Sequence, residues 1–375
     1  MKIAINATSL NGLERSGLFV YTDNLLNNLA AADPKNEYFI LFNSLRRKSH
    51  QMPGSNKSNF KKVVLPVPDM KFPLRNFILN NCFLPNFFKK NNCDIYHAPA
   101  GFSLPSANRI KKILTVHDLR TLKIADNDYP QDISSLRKAL KSADVCITVS
   151  EATKKDILDN FNVLPNKIKV VYEGAEERFK PINDQNKLDY IRNKYGLNKK
   201  YFFSVGAAPR KNVERLIRAF KLFKFNNDFL LAIGGEGSSG PWAAKHKSLI
   251  RDLGLENKVI MLGYIPDDDL PMLYNASECF VFPSLYEGFG IPLLEAMNCG
   301  VPIIASNVSS LPEIGGDAAL YVDPYDETSI AKAMKKIAED EQLKKQLIEK
   351  GFKRAKEFSW QKMAREILQI YNELI

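Results

Sequence analysis

Short apolar runs rich in β-branched and aromatic residues alternate with segments of helical period along almost the whole chain, and that alternation restricts the fold to parallel-sheet α/β architecture. Seven runs form a first series: Lys2–Ala7, Tyr38–Phe42, Lys62–Pro66, Asp94–His97, Lys112–Val116, Asp144–Val149 and Ile168–Tyr172. Six form a second: Tyr201–Val205, Phe229–Gly234, Lys258–Leu262, Cys279–Pro283, Val301–Ala305 and Ala319–Val322. Each series is enough for one open sheet. Between them Glu173–Asn198 is polar, contains Pro181 and carries no strand pattern, which puts a hinge near residues 175–182. Past Asp326 only helical periodicity remains. A chain of 375 residues exceeds the size at which a single core stops growing. The expected division is 1–176, 177–357, and a terminal helix at 358–375 that crosses back to the first domain.

Composition narrows the class. Apolar residues at 45% and charged residues at 25% supply a core and exclude a disordered chain. Cys82, Cys93, Cys146, Cys279 and Cys299 are scattered without a C-x-x-C pair, and the start enters a strand with no basic, apolar and cleavage regions. The expectation is a reduced cytoplasmic protein, neither secreted nor membrane-spanning. The net charge of +11 is concentrated: 13 Lys and Arg lie between Arg46 and Lys112 against Asp69 and Asp94, and the remainder balances. Phe72, Phe77, Phe83, Phe87 and Phe88 interleave with these cations. Cations among large apolar side chains suit peripheral attachment to an anionic membrane surface, here the inner face of the cytoplasmic membrane, and a solvated basic face is the alternative. No nucleic-acid motif is present, so no nucleic-acid partner is expected.

Three local patterns carry chemistry. Glu287-Gly-Phe-Gly-Ile-Pro-Leu-Leu-Glu295 follows a strand and opens a helix near Pro292, a place where amides bind phosphate and a carboxylate one turn on can accept from ribose hydroxyls. Gly206-Ala-Ala-Pro-Arg210-Lys211-Asn212 sets two cations at a helix start, against the macrodipole, which an anionic ligand such as pyrophosphate explains. Thr115-Val-His117-Asp118 ends a first-half strand, where open α/β sheets face ligand. The loop after the first strand holds Gly12 and Gly17, and Gly17 lets backbone approach a phosphate. Gly234-Gly-Glu-Gly237 lacks the full dinucleotide fingerprint. Asp267-Asp-Asp269 reads as helix-capping acids, and no cluster has metal-ligand spacing.

With these motifs in order, the chain resembles family 4 of the glycosyltransferases, the retaining group with the GT-B fold: two Rossmann-like domains facing across a cleft. The resemblance spans nearly the whole chain and includes Val149-Ser-Glu151, Glu173-Gly-Ala175 and Phe358-Ser-Trp360. It implies that Lys211 with Arg210 neutralises the departing pyrophosphate, Glu295 holds the ribose and Glu287 meets the donor sugar. Gly288, Phe289 and Gly290 would lie beside sugar and phosphate, Gly17 would approach the phosphate, and His117 would contact the transferred sugar. It further implies a nucleotide-sugar donor as substrate, no bound cofactor or metal, a glycan or lipid-linked acceptor, and a leaving phosphate that takes the acceptor's proton. Many relatives carry Arg after the strand glycine; here Ala207 follows Gly206, which puts the charge on Arg210 and Lys211. The pattern around Ala208-Pro-Arg-Lys and Val116-His-Asp-Leu119 is similar to that of mannosyltransferase-like members building bacterial surface polysaccharide with GDP-mannose or a related GDP-sugar. The alternatives are a UDP-sugar 2-epimerase of the same fold and a basic membrane- or RNA-binding adaptor.

Overall fold

The structure, a computed structural model, describes residues 1–11, 16–42, 53–54, 56–66, 77–107, 109–124, 131–223, 225, 227–235 and 241–375. Gly12, Arg46, Arg47, Lys48, His50, Asp69, Lys71, Phe72, Arg75, Glu236 and Gly237 lie outside the described residues.

The chain divides into two compact units, the first made of Met1–Leu119, Gln131–Glu173 and Ser359–Ile375. Its sheet contains β1 (Lys2–Asn6), β2 (Glu37–Phe42), β3 (Phe60–Val64), β4 (Ile95–Ala98), β5 (Lys111–Val116), β6 (Val145–Thr148) and β7 (Ile168–Val170). All pairs are parallel, in the order β3-β2-β1-β4-β5-β6-β7. Strands covered on both faces must be apolar throughout. Accordingly Ile3, Ala4 and Ile5 of β1 are fully buried, whereas edge strand β3 turns Lys61 and Lys62 to solvent, a pattern that discourages further pairing. The helix Gly17–Ala32, capped by Ser16, buries Tyr21, Leu25, Leu26 and Leu29. Against it packs the terminal helix Trp360–Glu373, which buries Trp360, Met363, Ile367 and Tyr371 in this unit, as the expected crossing back requires. Tyr371 also fixes the core histidine His97, whose Nδ1 lies 2.7 Å from its hydroxyl while Nε2 lies 2.9 Å from Thr115 Oγ1.

The second unit, Arg120–Pro130 and Gly174–Phe358, holds β8 (Lys200–Val205), β9 (Phe229–Gly234), β10 (Val259–Gly263), β11 (Cys279–Phe282), β12 (Ile303–Ser306) and β13 (Ala319–Val322). These too are parallel, in the order β10-β9-β8-β11-β12-β13. Both units therefore show doubly wound order, in which the sheet grows one way from its first strand and then the other. The reversal falls between β1 and β4 in one unit and between β8 and β11 in the other. Ligands bind at such points because the loops leaving the two central strands diverge and open a crevice at their carboxyl ends.

Two readings of the sequence need correction. Asp268, the N-cap of the helix Asp269–Ala276, makes no side-chain capping bond. Asp269 instead accepts from Lys194 Nζ at 2.7 Å and Tyr195 Oη at 2.6 Å, and Asp267 faces Arg178. The segment Glu173–Asn198, read as lacking a strand, has none and contains the helix Gln185–Lys194, at whose end Lys194 and Tyr195 lie. The aromatics of the basic stretch also sort differently: Phe88 is buried, Phe83 and Phe87 pack against the core, and Phe77 stays exposed. Four of the five cysteines are buried and all five are free thiols.

Candidate functional site

In the second unit, the loops that leave β8 and β11 meet at the switch point. After β8 the backbone turns at Gly206 (φ 85°), where an added Cβ would come within 3.0 Å of Lys211 Cγ and Cε. Glycine there lets Lys211 fold back over the strand end, and its ammonium lies 4.4 Å from the centre of the Phe282 ring on β11. A 3-10 turn, Pro209–Lys211, precedes Asn212, which adopts a left-handed conformation (φ 61°). The Asn212 amide donates to the carbonyls of Pro283 at 3.0 Å and Pro324 at 2.6 Å, binding the loops after β11 and β13 to the cation loop. Leu285 N–H donates to the Arg210 carbonyl at 2.8 Å.

This framework brings Glu287 against both cations. Arg210 Nη1 donates to its Oε2 at 2.6 Å and Lys211 Nζ to its Oε1 at 2.7 Å. Burial alone would push the Glu287 carboxyl up, but Arg210 and Lys211 more than reverse that and hold it at about 2. For Lys211, burial and neighbouring Arg210 lower the ammonium to about 8 against the pull of Glu287. Two cations sharing one carboxylate leave a net positive charge suited to an incoming anion.

The turn Glu287–Gly290 is held by the loop after β12. Glu287 N–H donates to Ser309 Oγ at 3.0 Å, and Ser310 Oγ lies 3.0 and 2.7 Å from the carbonyls of Glu287 and Phe289. Because carbonyl and N–H of a trans peptide point opposite ways, fixing those carbonyls aims the N–H groups of Gly288 and Gly290 away from Ser310. Gly290 caps the helix Ile291–Asn298 at φ 112°, and a Cβ there would meet Leu311 Cδ2 at 2.8 Å. Within that helix Glu295 accepts from Tyr274 Oη at 2.9 Å. Burial pushes its carboxyl up to about 7, against lowering by Tyr274 and Arg178.

In the first unit, Gly17 begins its helix, and an added Cβ would meet nothing within 4 Å, leaving the backbone open to approach. His117 follows β5, with Nε2 2.8 Å from the Pro99 carbonyl after β4 and Nδ1 3.2 Å from Glu173 Oε1. The Tyr21 ring lies edge to face with it at 4.5 Å.

Thus the structure groups Arg210, Lys211, Glu287, Gly288, Phe289, Gly290 and Glu295 in one unit, and in the other places Gly17 at the start of a helix and His117 at the end of β5. Spacing alone did not mark Tyr274, Ser309, Ser310 and the Asn212 side chain as parts of the site. Of these, Asn212 had a signal: asparagine after a cation pair and before a helix tolerates positive φ.

Residues 189–354 match the family model described as Glycosyl transferases group 1, and residues 15–178 match Glycosyltransferase Family 4. O-antigen chain mannosyltransferase B of Escherichia coli is 33% identical over 288 residues, 75% of this chain and 74% of that one. O-antigen chain mannosyltransferase RfbU of Salmonella typhimurium is 33% identical over 228 residues, 60% of each chain. Sucrose-phosphate synthase from Thermosynechococcus elongatus has a similar fold, with TM-score 0.79 at 21% identity over 100% of this chain and 98% of its own.

Proposed function

Because the chain belongs to glycosyltransferase family 4 and has its GT-B fold, we propose that it moves a hexose from a nucleoside-diphosphate sugar, with GDP-mannose as candidate donor, to a glycan or lipid-linked acceptor in surface-polysaccharide biosynthesis. The observation that carries the donor assignment is the convergence of Arg210 and Lys211 on Glu287 at the β8/β11 switch point, a buried site with positive charge to spare. A pyrophosphate placed there would take over the two cations and release Glu287 toward the sugar. The amides of Gly288, Phe289 and Gly290 would lie alongside, and Glu295 would accept from ribose hydroxyls, as carboxylates at this position of doubly wound sheets do. The choice of mannose rests on the O-antigen mannosyltransferases among the relatives.

In the proposed reaction the bond from the anomeric carbon to the phosphate oxygen breaks, a bond to the acceptor oxygen forms on the same face, and the acceptor's proton passes to the departing phosphate. Configuration is retained. The Arg210 and Lys211 charges stabilise the leaving diphosphate, so no metal ion is required for that purpose. Gly17 would approach the phosphate and His117 would contact the transferred sugar. Docking on an anionic membrane through the basic stretch would suit a lipid-linked acceptor; among the described residues no helix is long and apolar enough to cross a membrane. The two family models and the mannosyltransferase relatives favour transfer over the epimerase alternative.

A thermal-shift panel of GDP, UDP, ADP and their sugars tests the donor. A ligand at 100 times its dissociation constant stabilises the fold by about 2.7 kcal/mol. The GDP series should shift the melt most; a panel with no responding nucleotide would defeat the assignment. Sugar nucleotide incubated without acceptor should be hydrolysed slowly at most and never epimerised.

A further inference from the structure

His117 stands between two acceptors. A carbonyl oxygen carries no proton, so the Nε2 that lies 2.8 Å from the Pro99 carbonyl must be its donor. The carboxylate of Glu173, 4% exposed, faces Nδ1 at 3.2 Å and also only accepts. A neutral imidazole has one proton and satisfies one of these partners; the imidazolium satisfies both. We propose that Glu173 is a positioning residue which, with the Pro99 carbonyl, holds His117 as an imidazolium, so that in transfer His117 serves as a fixed cation and not as a general base. Its effect on transfer rests on the reading given under Proposed function, whereas the charge state rests on the bonds within the first unit.

The surroundings agree. Besides Glu173, the ring faces Tyr21 at 4.5 Å, the neighbouring carboxylate Asp118 adds negative charge, and His97 beyond is kept neutral in the core. Burial opposes protonation of His117, and Glu173, the Pro99 carbonyl and Asp118 outweigh it, raising its pKa. A ring whose nitrogens both donate to the protein has no lone pair to offer. The chemistry has no use for one if the departing phosphate receives the acceptor's proton.

Histidine-selective NMR of the full chain tests this directly, since the sequence has only four histidines and His117→Gln identifies the resonance. The His117 signals should remain those of the protonated ring through pH 7. In Glu173→Gln, which keeps the shape and removes the charge, the midpoint should move to lower pH by about one unit or more. Glu173→Asp should restore part of the shift. In transfer assays Glu173→Gln should lower kcat roughly 10- to 100-fold, the range expected for a charge-assisted hydrogen bond, and move the alkaline limb of the pH profile to lower pH. Melting temperatures of both variants report whether they fold. A neutral His117 at pH 7 in the unaltered protein, or a midpoint indifferent to Glu173→Gln, overturns the proposal. The NMR readout needs no substrate, so its failure is separate from a failure of the glycosyl-transfer reading.

Discussion

Arg210 and Lys211 share one carboxylate, so each can exchange Glu287 for a phosphate oxygen. Lys211→Ala should weaken nucleoside-diphosphate binding by roughly 1.5 to 3 kcal/mol, the worth of a charge-assisted bond, and barely change nucleoside binding; calorimetry on both ligands reads the difference. Equal losses would remove the phosphate from this loop. Glu287→Ala should spare free nucleoside diphosphate while losing transfer, whereas Glu295→Ala should weaken both, and matching titrations for the two variants would contradict the sugar and ribose roles. Glu295 also predicts a pH dependence. Its folded pKa, near 7, exceeds that of an exposed carboxyl, so its contribution to stability is full below about pH 4.5 and is lost as pH rises through 7. Glu295→Gln should therefore gain stability over the parent as pH climbs through that window, by up to about 3 kcal/mol at pH 8 in urea unfolding. The two glutamates and two cations were legible because each motif lies within a few residues. Their mutual bonds were not, since Arg210 and Glu287 are 77 residues apart and meet only when β8 and β11 pair.

At the scale of elements, the turn from Glu287 to Gly290 depends on a loop more than twenty residues away in sequence. Ser310→Ala would leave two buried carbonyls without their side-chain partner, at a cost of roughly 1 to 3 kcal/mol. Gly290→Ala forces a side chain into a left-handed turn, costing of order 1 to 3 kcal/mol, and drives it against Leu311. Both variants should lose donor affinity beyond what their urea-unfolding curves lose in stability, because the amides of Gly288 and Gly290 would no longer be aimed together. Unchanged donor affinity in a destabilised but folded Ser310→Ala would relegate Ser310 to packing. Strands were the legible elements: each apolar run became a strand, because a strand buried on both faces leaves an unbroken apolar signature. The run read as Lys62–Pro66 is β3, Phe60–Val64, displaced because an edge strand mixes exposed lysines with its apolar residues. Asp269 was read as a capping acid because capping and cross-element ion pairing demand the same residues, and only the packed position of Gln185–Lys194, which brings Lys194 to it, decides between them.

Two parallel sheets in one chain were legible at the scale of the whole molecule, but periodicity contains no strand order, which depends on which crossovers reach past β1 and β8. Charge placement along the chain, by contrast, can be followed onto the surface. Lys61 and Lys62 lie on the exposed edge strand, and Lys89 and Lys90 end the helix Leu84–Asn91. Phe39 of β2 links the two: Lys61 Nζ stands 5.7 Å from the centre of its ring and Phe87 of that helix packs on it at 5.4 Å. Lys61 also pairs with Glu37, which reduces its free charge, and most of the nearby aromatics are committed to the core. Any attachment to membrane through the described residues is therefore mainly electrostatic, with exposed Phe77 and Val64 as apolar contributions. Each Lys or Arg near an anionic surface contributes about 1 kcal/mol, and the attraction decays over roughly 8 Å at physiological salt. The protein should bind vesicles containing anionic lipid and ignore neutral ones in a sedimentation assay, and added salt should release it steeply. Replacing Lys61, Lys62, Lys89 and Lys90 by Ser should abolish that binding and leave sugar-nucleotide affinity unchanged, because none of the four is a donor-site residue and the cations and carboxylates assigned to the nucleotide belong to the other unit. Binding indifferent to lipid charge, salt and these four substitutions would mark the basic stretch as a solvated face, and a soluble acceptor would then replace the lipid-linked one.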